Sequence, residues 1–116
     1  ANSTYRIRVA VSDNIRGPYL DKNGNDIKSG NFGEIILSGN TEAFGFAGPG
    51  HNGHIRTDDK GQDWMLYHAI PKNNPKLQNG ASRRPLMLDK IIWKEGWPTI
   101  ERAAPSLSTQ AAPEFN

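Results

Sequence analysis

The sequence contains no cysteine, which excludes disulfides, thiolate metal sites and cysteine nucleophiles together. No apolar run is long enough to cross a bilayer as a helix, and no stretch reads as a signal peptide. A dominant charge of either sign is also missing. Fourteen Lys and Arg oppose twelve Asp and Glu, for a net charge of +2. The basic residues form no cluster on one face, so neither nucleic acid nor a membrane surface is an expected partner. Apolar residues make up only 35% of the chain, and none of its segments carries a sustained helical period. A domain of this size buries only about 65% of its unfolded surface, so a core this thin is a handicap for a chain folding alone.

Turns and short strands are what remain. Twelve glycines and eight prolines punctuate the 116 residues. Tyr5 to Val11 alternates in polarity and is rich in β-branched residues, the mark of a half-exposed strand. Asp21-Lys22-Asn23-Gly24-Asn25-Asp26 centres on Asn-Gly, a strong turn signal. Glu34 to Leu37 reads as a short strand. Phe44 to Gly50, dense in glycine and aromatics, reads as a loop. His51 to Arg56 and Asp63 to Ala69 read as paired strands joined by a turn at Asp58 to Gly61. Pro71 to Ser82 is a polar loop, Arg84 to Trp93 the strongest strand, and Pro98 to Glu101 a last short one. From Ala103 the Ala/Pro/Ser/Thr/Gln composition predicts a frayed tail.

Short strands with a turn every 8–12 residues indicate an all-β fold, either sandwich or propeller. Propeller blades run to roughly 40–50 residues, so the chain would hold about two. Two blades close no ring, and the chain begins at Ala1 rather than Met. It therefore reads as a piece of something larger.

Three segments in this order resemble glycoside hydrolase family 43. They are Val9-Ala10-Val11-Ser12-Asp13-Asn14-Ile15-Arg16-Gly17-Pro18-Tyr19; then Gly48-Pro49-Gly50-His51-Asn52 followed by Asp63-Trp64-Met65-Leu66-Tyr67-His68-Ala69; and Arg84-Pro85-Leu86-Met87-Leu88-Asp89-Lys90-Ile91-Ile92-Trp93 running into Gly96-Trp97-Pro98. The resemblance implies the last two blades of a five-bladed β-propeller over residues 1–102, with a flexible tail over 103–116. It also implies a secreted enzyme that cleaves α-L-arabinofuranosyl linkages in plant cell-wall arabinan with inversion. Inversion needs a carboxylic acid and a carboxylate flanking a water. In the family these come from earlier blades, so no catalytic carboxylate is expected in this chain, and the N-terminal blades are the expected partner. A β-xylosidase-type hydrolase and a non-catalytic carbohydrate-binding fragment are the alternatives.

By the same resemblance, His51 ligates a largely water-coordinated metal ion on the propeller axis, usually read as calcium. Calcium prefers oxygen, so one imidazole in an aqueous shell would be an unusual ligand set. The competing reading is a histidine bonded to blade backbone. Arg84 is the expected substrate-binding arginine, donating to sugar hydroxyls or to a carboxylate. Alternation turns either Arg84 or its neighbour Arg83 outward. Phe46 and Asn52 are candidate cleft residues, since sugar rings stack on aromatic faces. His68 reads as a packing residue, and Trp64, Trp93 and Trp97 as blade core. Asn2-Ser3-Thr4 has the form of a glycosylation sequon, read here as accidental.

Overall fold

A computed structural model describes residues 3–116, so Asn2 of the sequon lies outside the described residues. The described chain is strand and turn. Its helical content is two 3-10 turns of three residues each, Ile27–Ser29 and Glu101–Ala103. No helix in it is long and apolar enough to cross a membrane.

Two sheets form. Strands β1 (Ile7–Val9) and β2 (Glu34–Leu37) pair antiparallel. The second sheet takes β3 (Phe46–Gly50), β5 (Asp63–Pro71), β6 (Leu86–Lys94) and β7 (Trp97–Thr99) in that order, every neighbour antiparallel, with the two-residue β4 (Arg56–Thr57) also on β5. A four-stranded antiparallel meander is the form of one propeller blade. The described residues thus hold one whole blade and a two-stranded portion of another.

The sequence patterns explain most of these elements. In β5, Met65, Tyr67 and Ala69 share one face and are buried, as period-2 alternation requires. They join Ile36, Leu37, Ile91 and Ile100 in the core, with Ile7, Val9, Phe46 and Met87 packed around it. The core therefore lies between the two sheets. Each large side chain fully buried there contributes about 1.5–3 kcal/mol.

Two turns share one construction. Asp21 Oδ1 accepts from the amides of Asn23 and Asn25, and Asp58 Oδ1 accepts from those of Lys60 and Gln62. Gly24 and Gly61, three residues on, have φ of +80° and +81°, a conformation that glycine adopts without cost. The aspartate side chain substitutes for a backbone acceptor in each turn.

Several expectations are corrected. Phe44 to Gly50 is not all loop: Phe46–Gly50 forms β3, its register on β5 shifts between Ala47 and Gly50, and the strand ends after Gly50. Phe46 faces Pro71 and Gly50 faces His68, while Arg56 faces Trp64 further along the same edge of β5. Strands β3 and β4 are thus one edge interrupted by a bulging loop, 51–55, where a continuous strand was expected. Glycine misleads here because it signals turns, yet at Gly50 it makes room: a side chain there would occupy the ring of Tyr5. Trp64 is buried as expected, but Trp93 is half exposed and Trp97 only partly buried. The Trp93 indole donates to Asp63 Oδ2 at 2.6 Å instead of entering the core.

The segment expected to be a free tail, 103–116, lies against the sheets. Ala103 accepts from the Ser38 amide at 2.8 Å, and the buried Pro105 accepts from Asn40 Nδ2 at 2.9 Å. Gln110 donates to the Leu88 carbonyl, and Glu114 accepts from the Asp59 amide. Composition reports local propensity and carries no trace of these distant partners.

Candidate functional site

The bulge after Gly50 begins at His51, whose φ of +53° is uncommon for a side-chain-bearing residue but tolerated by histidine. Bulges re-aim side chains, and this one turns the exposed His51 ring onto β5. The His51 and His68 rings stack with centroids 5.5 Å apart and an interplanar angle of 19°. The register explains the meeting, since Gly50 sits directly opposite His68. The Gly53 amide donates to the Leu66 carbonyl at 2.9 Å and holds the bulge against β5.

On its other edge, His68 faces Leu86 of β6. Arg84 lies two residues ahead of Leu86, just before β6 begins. Its Nη1 is 3.3 Å from His68 Nδ1. A guanidinium has no acceptor, so it donates, and the Nδ1 of His68 carries the lone pair. The proton of the neutral ring then resides on Nε2. Burial, followed by the electrostatic influence of neighbouring Arg84 and then of His51, holds His68 below the usual histidine range. The loop after β3, strand β5 and the segment leading into β6 thus bring two imidazoles and a guanidinium to one spot.

Arg83 points elsewhere. Its side chain donates to the carbonyls of Asn74 and Lys76, at 3.1 and 3.2 Å, and braces the polar loop. Asn52 is exposed beside His51, its amide group 3.4 Å from the Gly53 carbonyl. Phe46 is not brought to this cluster. It stands at the opposite end of β3, partly buried against the core. His54 is exposed on the bulge.

No group of three His, Asp or Glu side chains that could hold a metal gathers among the described residues. A single imidazole such as that of His51 would fit only an ion held otherwise by water or by residues outside the chain. Four of the seven aspartates are occupied locally. Asp21 and Asp58 close their turns, Asp63 accepts from Thr57 and Trp93, and the buried Asp89 accepts from Tyr67 and the Ser106 amide. None of them contacts the His51–His68–Arg84 cluster.

His68, which the sequence reading assigned to packing, is the third member of this cluster. Strand parity was the available signal: it alternates with Tyr67 and Ala69, so it faces away from the core those two enter.

Several known proteins are similar to this chain in sequence. An extracellular exo-α-(1→5)-L-arabinofuranosidase, ArbA, of Cellvibrio japonicus is 34% identical over 101 residues, covering 86% of this chain and 26% of its own length. An extracellular endo-α-(1→5)-L-arabinanase of Bacillus subtilis is 35% identical over 102 residues, covering 84% and 26%. An arabinan endo-1,5-α-L-arabinosidase B of Emericella nidulans is 36% identical over 94 residues, covering 81% and 21%. The chain therefore spans about a quarter of the length of these relatives. No solved structure gives a significant match. The sequence model for glycosyl hydrolases family 43 matches residues 1–98, which include the whole bulge, the histidine pair and Arg84. With a blade-like meander beneath that match, the chain belongs to glycosyl hydrolases family 43.

Proposed function

We propose that this chain forms the closing blades of an extracellular propeller hydrolase that cleaves α-L-arabinofuranosyl linkages in arabinan with inversion. The observation carrying this reading is the convergence of His51, His68 and Arg84 on a blade whose relatives are named for arabinan cleavage. The acid and base carboxylates lie in blades outside the chain. The local engagement of Asp21, Asp58, Asp63 and Asp89 supports that placement. An inverting pair stands roughly 6.5–9.5 Å apart to admit water, a gap that carboxylates on different blades can span.

Within this reading, Arg84 offers its remaining N–H groups to a sugar hydroxyl or to an ionised carboxylate, and Asn52 borders the same opening. The exposed His51 ring would hold a hydrated divalent cation, most simply calcium, which would supply positive potential beneath the acidic site. Phe46, packed on the core, supports the blade from below and is not assigned to the sugar.

The test is the intact protein assayed on linear arabinan and aryl arabinofuranoside, with aryl xyloside as a comparison and the product anomer followed by NMR. Inverted arabinose or arabino-oligosaccharide is the expected product. Retention, or a preference for xyloside, would overturn the proposal. Elemental analysis of His51→Ala tests the ion separately: the variant should lose it while remaining folded.

A further inference from the structure

His51 is an exposed side chain at a backbone bulge in left-handed conformation, and the one ring stacked on it is that of His68. β5, which carries His68, is paired on both edges, by β3 and β4 on one side and β6 on the other. His68 therefore stands on a strand whose backbone is held on both sides, directly against the ring on the bulge. Its own ring is oriented in turn by Arg84 at Nδ1.

We propose that His68 is a positioning residue: oriented by Arg84, it presents a flat face that holds the His51 ring in its working direction. This rests on the functional reading above, in which His51 holds a cation beneath the acidic site. Arg84 accordingly has a second task beside any contact with sugar. A freely flipping His68 would present either nitrogen to the opening, and the Arg84 donor removes that choice by requiring the lone pair at Nδ1. Stacking makes no demand on nitrogen, so the two parts of the device separate by substitution. His68→Phe keeps an aromatic face and loses the acceptor, whereas His68→Ala loses both.

The experiment uses the intact protein with ¹⁵N-labelled histidine. Long-range ¹H–¹⁵N spectra should show His68 protonated at Nε2 and bare at Nδ1. The His51 ring protons should carry a ring-current shift that disappears in His68→Ala and persists in His68→Phe. On arabinan, His68→Ala should lower kcat about three- to tenfold, the scale of one aromatic pair, with little change in KM. His68→Phe should recover most of that loss. A wild-type His68 protonated at Nδ1, a His51 shift unaltered in His68→Ala, or an unchanged kcat in His68→Ala would each overturn the proposal. The spectra need no turnover. A wild-type protein inert on arabinan would sink the functional reading and leave the positioning role to be decided by NMR.

Discussion

The Tyr67 hydroxyl donates to Asp89 Oδ2 at 2.5 Å inside the core, and the Ser106 amide donates to the same oxygen at 3.2 Å. Burial, and then the Asp89 contact, push the phenol far above its ordinary pKa, so Tyr67 remains a donor at every working pH. The carboxylate thus ties two neighbouring strands of the blade to the C-terminal segment. Tyr67→Phe leaves Asp89 short of a partner where water cannot readily replace it. The expected loss is about 1–3 kcal/mol in urea unfolding of the intact protein. An unchanged midpoint would show that Asp89 finds another donor.

Close approaches rank the glycines. A side chain at Gly45 would strike Cβ of Asn40, with Asn40 Oδ1 at 2.9 Å. Asn40 is buried and holds the Phe46 amide and the Pro105 carbonyl, so it has no room to yield. Gly45→Ala should cost about 1–3 kcal/mol, as overpacking does. Gly50→Ala should cost less, because the half-exposed Tyr5 ring can swing aside. Thermal melts of the two variants side by side check the order.

The adjacent arginines should separate stability from turnover. Arg83→Ala removes two donors from the 74–76 backbone and should lower stability by about 0.5–1.5 kcal/mol with turnover near wild type. Arg84→Ala should leave the melting temperature nearly unchanged and lower kcat/KM by roughly 10- to 150-fold, the scale of a lost charge-assisted bond. The reverse ranking would reassign the inward-facing arginine.

Acid should weaken the Asp58 turn. Donation from the Trp64 indole, then from the Gln62 and Lys60 amides, holds the Asp58 carboxyl below its usual range, with burial pulling the other way. A carboxyl depressed by folding stabilises the native state above the unfolded pKa of about 3.9, and that contribution fades as pH falls through the lower folded value. Asp21 and Asp63 are shifted in the same direction. Stability should therefore decline from about pH 4 downward, and Asp58→Asn should flatten that decline. Trp64 fluorescence during unfolding at stepped pH reports it, and an equally steep decline in the variant would point to other carboxyls.

The strands of strong alternation were legible in advance, as Met65, Tyr67 and Ala69 illustrate. The Asn-Gly turn at Gly24 was legible too, because its chemistry is complete within a few residues. The bulge was not. Nothing local distinguishes a glycine that starts a turn from one that lets Tyr5 pass close, and so β3 was read as loop. The tail was misread for a related reason, since its hydrogen-bond partners lie at residues 38, 40, 59, 88 and 89.

By itself the sequence determined the all-β class, the polarity of the main strands, the family resemblance and the candidacy of His51 and Arg84. These follow from residue type and short-range order. Tertiary structure alone decided that the two candidates meet through His68. That meeting depends on the pairing of Gly50 and Leu86 with His68 across two strand boundaries. Register is set by how whole strands bury their faces, and slipping it by one residue would turn His68 into the core and disperse the cluster.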